Sequence, residues 1–219
     1  MDRKQVQAEA LQILLDNERC TLEISMGVGK TRIGINHMLH FYNDFVQYLV
    51  IAPKKSIMQS WIDEAEKMDC SYLLDHITFS TYRSMCKHNP YDFDVVYLDE
   101  CHSMTDTNRP FLEVYPGKII GLTGTAPTRE LSEKMILMDE FCPLKYTFTV
   151  DDATDSNILN DYKIIVHMLE LDQLKRIKKK NKKGGHWFTS ERADYNYQCN
   201  RYNEARTSHQ RNMSAIMRM

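Results

Sequence analysis

Ser25-Met26-Gly27-Val28-Gly29-Lys30-Thr31 stands between a short apolar run, Cys20 to Ile24, and a stretch from Arg32 to Tyr42 whose apolar residues recur at helical spacing. The order predicts a strand, a glycine turn and a helix that opens on Lys-Thr. Physically, that order makes a seat for phosphate. Glycines let backbone N–H groups converge on an anion, and the helix N-terminus adds the positive end of a dipole. Lys30 supplies a mobile charge and Thr31 a hydroxyl for Mg²⁺. The full Walker pattern has a glycine where Ile24 stands. A Gly-Lys-Thr turn that merely starts a helix is the plain alternative, and the segments on either side decide between the two.

Upstream, Val6, Ala10, Leu11, Ile13 and Leu14 predict a helix over 3–17, with Gln5, Gln7, Glu9 and Asp16 on its polar arc. Gln7 is either a solvated glutamine or a carboxamide that donates and accepts at an adenine edge. Downstream, Val46 to Ala52 is an apolar block fit for a strand covered on both faces. Pro53 ends it, and Lys54-Lys55-Ser56 opens a helix reaching about Met68. The Pro53-Lys54 loop falls on the sheet edge that carries the phosphate seat, where open α/β sheets bind ligands. Lys54 and Lys55 either serve there or are simply solvated. Ile77 to Ser80 predicts a third strand. Thr81 and Tyr82, beside Arg83, either hold a nucleic-acid backbone or cap the helix that follows.

Residues 94–102 read Asp-Val-Val-Tyr-Leu-Asp-Glu-Cys-His. A buried strand that delivers Asp99 and Glu100 at its tip is costly unless the carboxylates meet a cation. Asp99 is the candidate Mg²⁺ partner with Thr31, and Glu100 the candidate base for an attacking water. A helix N-cap pair is the alternative for Asp-Glu. His102 can join this site to a neighbouring loop. Lys118 to Leu122 predicts a further strand, closing on Thr123-Gly124-Thr125, whose hydroxyls can relay hydrogen bonds between nucleotide and a second ligand. A helix is expected over about 129–141. The alternation of strands and helices predicts an α/β fold, a mostly parallel sheet with helices on both faces.

The bulk numbers narrow the function. At 219 residues the chain can bury one α/β core with some length left over, since single cores saturate at ~100–200 residues. A net charge of −2 argues against indiscriminate coating of nucleic acid and leaves room for a local basic patch. The 6 cysteines show no C-x-x-C spacing, which disfavours both a structural zinc site and a secreted disulfide framework. No stretch approaches the ~18 apolar residues of a membrane span. The expected setting is cytoplasmic, or host cytoplasm for a viral or phage protein.

Walker loop, Asp99-Glu100-Cys101-His102 and Thr123-Gly124-Thr125, in that order and each at a strand's end, resemble the first RecA-like domain of a superfamily 2 helicase or translocase with a DExH box. Met26 to Thr31 and Gly121 to Pro127 look most similar to Swi/Snf-type and phage branch-migration or repair helicases, whose loop also lacks the first Walker glycine. The resemblance includes Lys4 to Ala10, similar to an R-x-x-Q-x-E-A signal. It implies ATP and Mg²⁺ as cofactors, with ATP on Gln7, Met26, Gly27, Val28, Gly29, Lys30 and Thr31, and catalysis by Lys30, Asp99, Glu100 and His102. It further implies nucleic-acid contacts by Pro53, Lys54, Thr81 and Tyr82, and coupling by Thr123, Gly124 and Thr125. DNA is the implied partner, with RNA left open. A P-loop metabolic kinase does not fit the Asp-Glu-Cys-His box.

The resemblance implies a domain over 1–150, an interdomain connection over 151–168, and a partial, mainly helical start of a second motor domain over 169–219. The rest of that second domain, with its arginine finger, does not follow in this chain. Lys175 to Lys183 packs seven cations before Gly184-Gly185, either a phosphate-binding stretch or a solvated connector. His186-Trp187-Phe188 either stacks bases or packs into a core. A helix is expected from about Glu191. Two functions stand side by side: the N-terminal half of an ATP-dependent motor that hydrolyses little by itself, and a non-catalytic half-motor that binds nucleotide or a partner motor as a regulator.

Overall fold

The computed structural model describes residues 1–128 and 132–160, with the backbone of 179–180 and 187–188. The chain divides into two compact units, Met1–Asp161 and Tyr162–Met219.

In the first unit six parallel strands form one sheet: β1 (Arg19–Ile24), β2 (Tyr48–Ala52), β3 (Ile77–Thr81), β4 (Val95–Asp99), β5 (Lys118–Thr123) and β6 (Leu144–Phe148), in the spatial order β3-β2-β4-β5-β1-β6. Every residue of β2, β4 and β5 is buried, as a parallel sheet covered on both faces requires. Successive residues feed opposite layers. Tyr48, Val50, Val95 and Tyr97 face the layer built by α1 (Arg3–Asp16), α2 (Lys30–Phe41) and α3 (Lys55–Lys67). Leu49, Ile51, Val96 and Leu98 face the layer of α4 (Arg109–Val114), α5 (Glu133–Phe141) and the short 3-10 turns after β3 and β4. Full burial of each such aliphatic side chain contributes roughly 1.5–3 kcal/mol.

Local chemistry sets the element ends. Asp2 caps α1 by accepting from Gln5 N at 2.8 Å, while the Gln5 side chain accepts from Asp2 N at 2.7 Å, a reciprocal capping box. At the other end the buried Lys118 ammonium donates to Leu14 O at 3.1 Å and lies 5.2 Å from the centre of the Phe41 ring. A cation thus meets carbonyls that helix geometry leaves open.

Three local features differ from the sequence reading. The helix expected from residue 129 begins at Glu133, because Ser132 caps it by accepting from Met135 N; residues 129–131 lie outside the described residues. β6 is an additional edge strand against β1. Of the expected connection over 151–168, the part up to Asn160 packs on the first unit. There α6 (Val150–Asp155) opens on a Thr149/Asp152 capping box and buries Ala153, while Ile158 and Leu159 pack against the core. The remainder lies outside the described residues.

In Tyr162–Met219 the described residues form two short antiparallel strands, β7 (Lys179–Lys180) and β8 (Trp187–Phe188). They fall in the basic run and the Trp-Phe pair, where no strand is expected from sequence. The helix expected from Glu191 lies outside the described residues. Among the described residues no helix is long and apolar enough to cross a membrane.

Candidate nucleotide site at the carboxyl edge of the sheet

The phosphate loop connects β1 to α2. Two glycines turn it, Gly27 at φ 88° and Gly29 at φ 108°, conformations in which a Cβ is strained. Gly29 is also the α2 N-cap and has no side chain to occupy the first-turn N–H groups. A Cβ there would fall 2.6 Å from Gln7 Nε2. Gln7 reaches the loop from α1, donating to Val28 O at 2.7 Å. Gln7, Gly27, Val28, Gly29 and Thr31, with Arg3, Arg32 and the α3 residues Ser60, Asp63, Glu64 and Lys67, line a cleft of about 400 Å³. Met26 is exposed at the loop's crest. Within the loop Ser25 Oγ is buried without a hydrogen-bond partner, an acceptor and donor left over at the turn.

Lys30 folds back over this loop, its Nζ donating to Ile24 O at 3.1 Å. The same ammonium lies 3.3 Å from where a Cβ of Gly124 would stand. Gly124 N in turn donates to Glu100 Oε2 at 3.4 Å. The loop, the carboxylates and the Thr-Gly-Thr turn therefore meet at one place, the carboxyl ends of β1, β4 and β5.

Asp99 is the last residue of β4 and is buried. Its Oδ2 accepts from Trp61 Nε1 at 2.8 Å and its Oδ1 from Glu100 N at 3.0 Å. Burial pushes this carboxyl above the usual carboxylate range, partly offset by the Trp61 hydrogen bond and the Lys30 charge. Glu100 has φ 50°, a left-handed turn that ends the strand and swings its side chain toward Gly124. His102 Nδ1 lies 2.8 Å from Thr123 Oγ1 and 3.4 Å from Glu100 Oε2. Thr123 Oγ1 already donates its one proton to Thr125 O and accepts from Thr125 N. His102 Nδ1 is therefore the donor to Thr123.

The chemistry of this donor set fits a nucleoside triphosphate with Mg²⁺. Among the described residues no three His, Cys, Asp or Glu side chains gather into a metal cluster, whereas Mg²⁺ is usually held by one or two carboxylates with the substrate's own phosphates and water. The hydroxyl and the carboxylate expected for it from the sequence stand on α2, at its second residue Thr31, and at the end of β4, at Asp99.

The expected nucleic-acid residues divide. Ala52 pairs with Thr81, so Pro53-Lys54 and Thr81 emerge side by side from β2 and β3. Lys54 is exposed at the α3 N-cap without a side-chain cap bond, and the Thr81 hydroxyl makes no cap bond either. Tyr82 does not belong with them. Its ring is buried in the α4–α5 layer and its hydroxyl donates to Asp99 O at 2.9 Å. The ring follows the 3-10 turn inward, so its side chain is spent on the carboxylate strand and does not face a phosphate. Trp61 is the other anchor of Asp99 that sequence reasoning missed: at helical spacing with Ala65 it reads only as core.

A family model described as Type III restriction enzyme, res subunit, matches residues 1–128. No curated protein matches the chain. Among solved structures, the UvsW helicase from bacteriophage T4 is similar at TM-score 0.53 and 18% identity, over 64% of this chain and 58% of that one. A nuclease-deletion mutant of the Type ISP restriction-modification enzyme LlaGI, in complex with a DNA substrate mimic, is similar at TM-score 0.53 and 15% identity, over 71% and 20%. The ATP-dependent Type ISP enzyme LlaBIII bound to DNA is similar at TM-score 0.50 and 16% identity, over 74% and 16%. The chain thus spans 58% or less of the length of each. Its fold is the one those three solved structures share, and with the family model covering 128 of its 219 residues, the chain belongs to the Type III restriction enzyme, res subunit, family.

Proposed function

We propose that this chain is the ATP-binding half of a cytoplasmic, ATP-dependent nucleic-acid helicase or translocase that acts on DNA. The observation that carries the reading is the position of Gly124, between the Lys30 ammonium and the Glu100 carboxylate. An anion seat and a carboxylate pair that share a turn are suited to phosphoryl transfer to water.

In this reading the N–H groups of Gly27 to Thr31 and the Lys30 ammonium hold the triphosphate, and Gln7 reads the adenine edge. Thr31 and Asp99 hold Mg²⁺, which when bound supplies neutralisation of the phosphate charge. Glu100 orients the attacking water and accepts its proton. His102, donating to Thr123, links Glu100 to the Thr123-Gly124-Thr125 turn, so a change at the phosphate seat reaches the neighbouring loop. Lys54 and Thr81, with Pro53 beside them, grip the nucleic-acid backbone. Residues 1–160 hold the motor wall, and the chain beyond them leads on toward the second RecA-like domain. Hydrolysis at a motor's rate needs that domain's arginine, a group worth ~10³–10⁵ in related NTPases. DNA is favoured because the LlaGI and LlaBIII structures are described with DNA or a DNA mimic.

The test is nucleotide binding, and nucleotide-dependent binding of single-stranded DNA, double-stranded DNA and RNA, by the wild type and Lys30→Ala. Loss of a charge-assisted contact should weaken ATP by roughly 10-fold or more. Equal ATP affinity in both proteins would overturn the assignment of Lys30.

A further inference from the structure

Trp61 is fully buried between α2 and the sheet. On one side α2 approaches its ring so closely that a Cβ at Gly34 would fall 2.5 Å from the ring's Cη2. On another side the ring of Tyr97 meets it edge-on, centroids 5.7 Å apart. These contacts lock the indole, and its one polar atom, Nε1, ends 2.8 Å from Asp99 Oδ2. An indole N–H donates, never accepts and does not titrate in water, so the group it faces is always offered a donor. Because Oδ1 is taken by Glu100 N at 3.0 Å, both carboxylate oxygens are fixed, and the plane of the carboxylate with them. The lone pairs that remain free on Asp99 then point in directions set by Trp61.

We infer that Trp61 is a positioning residue for the divalent metal: it orients Asp99 toward the phosphate seat without touching metal or nucleotide. This rests on the reading of the site as a Mg²⁺-nucleotide site. Groups that hydrogen-bond a metal-ligating carboxylate fix its geometry, and their loss costs ~10–100-fold in metal affinity. The placement on α3 adds a consequence. Lys54 stands at the N-cap position of the helix on which Trp61 sits about two turns further on. The helix that presents the candidate nucleic-acid contact thus also holds the carboxylate, and a shift of α3 re-aims Asp99. A purely structural tryptophan would contribute to stability and leave the metal dependence untouched.

Trp61→Phe keeps the aromatic packing and removes the donor. Binding of mant-ADP to the 219-residue chain is measured in EDTA and across a Mn²⁺ titration. The expected result is unchanged metal-free affinity and an apparent Mn²⁺ constant weaker by about 10-fold or more. A folded variant with an unmoved Mn²⁺ constant overturns the inference. A second measurement leaves Trp61 in place: the chain has 2 tryptophans, so Trp187→Phe makes Trp61 the single tryptophan, read by excitation beyond the tyrosine absorption band. Paramagnetic Mn²⁺ with ADP should quench that emission and Mg²⁺ should not; absence of quenching overturns the inference even if Trp61→Phe does not fold. A wild type that fails to bind mant-ADP with any metal overturns the underlying reading of the site, and this one with it.

Discussion

The Tyr82 hydroxyl donates to the carbonyl oxygen of Asp99 at 2.9 Å, and the Tyr82 carbonyl accepts from Asn108 Nδ2 at 2.6 Å. The tyrosine braces the end of β4 from the layer opposite Trp61. Tyr82→Phe leaves a buried carbonyl short of its donor and should cost about 1–2 kcal/mol in urea unfolding. Nucleic-acid affinity of the folded variant should stay at the wild-type value. Lys54→Ala should do the reverse, keeping stability while lowering affinity and flattening its salt dependence. A loss of affinity in Tyr82→Phe at constant stability would return that side chain to the nucleic-acid surface.

His37 is buried on α2 with its Nδ1 2.6 Å from the Tyr97 hydroxyl, and burial with the nearby Lys118 charge lowers its pKa to about 3. The unfolded chain, with an ordinary value of 6.5, binds a proton that the folded chain refuses between those limits. Stability contributed by neutral His37 is therefore present above pH 6.5 and lost progressively as pH falls toward about 3. Unfolding free energy of the wild type should drop relative to His37→Gln by about 2 kcal/mol on going from pH 7.5 to pH 5. Parallel pH profiles for the two proteins would contradict this.

Gly29→Ala combines two penalties: φ of 108° and a clash with the Gln7 carboxamide. Left-handed backbone costs an L-residue ~1–2 kcal/mol. Pairing the change with Gln7→Ala should relieve the clash and leave the backbone strain, so the double variant should recover part of the lost stability. Full recovery in thermal unfolding would show that the loop can relax its dihedrals.

Lys118→Met removes the ammonium that meets Leu14 O. The methionine fits the apolar stem and leaves the carbonyl end of α1 without its cation, a loss of about 1–3 kcal/mol. Denaturant unfolding measures it. Because Lys118 is the first residue of β5, at the opposite end of the strand from Thr123, nucleotide affinity of the folded variant should be unaffected.

The legibility of these features in the sequence follows from how many constraints act on each residue at once. Gly27, Gly29, Lys30 and Thr31 answer both to backbone geometry and to anion chemistry, so their order declares strand, turn and helix. Val95 to Leu98 announce a strand by being apolar without interruption. Thr81-Tyr82-Arg83 has the composition of an exposed phosphate grip, and only tertiary packing turns the tyrosine inward. β6 is obscured because Leu144, Lys145 and Thr147 are exposed on an edge strand, which leaves too few buried positions for a periodicity. Trp61 shows its apolar face in the helical pattern, whereas the target of its N–H depends on where β4 ends, a fact of sheet register and not of local spacing.

Leu159 lies where a Cβ on Gly27 would come within 3.0 Å of its Cδ2, and Arg3 ties the same turn to α1 by donating to Ile158 O at 3.2 Å. The phosphate loop therefore borrows a wall from the tail of its own unit. A gene shortened to end before Val150 would still encode every motif residue yet leave that wall open to solvent, so a piece that keeps the loop walled runs through Asn160.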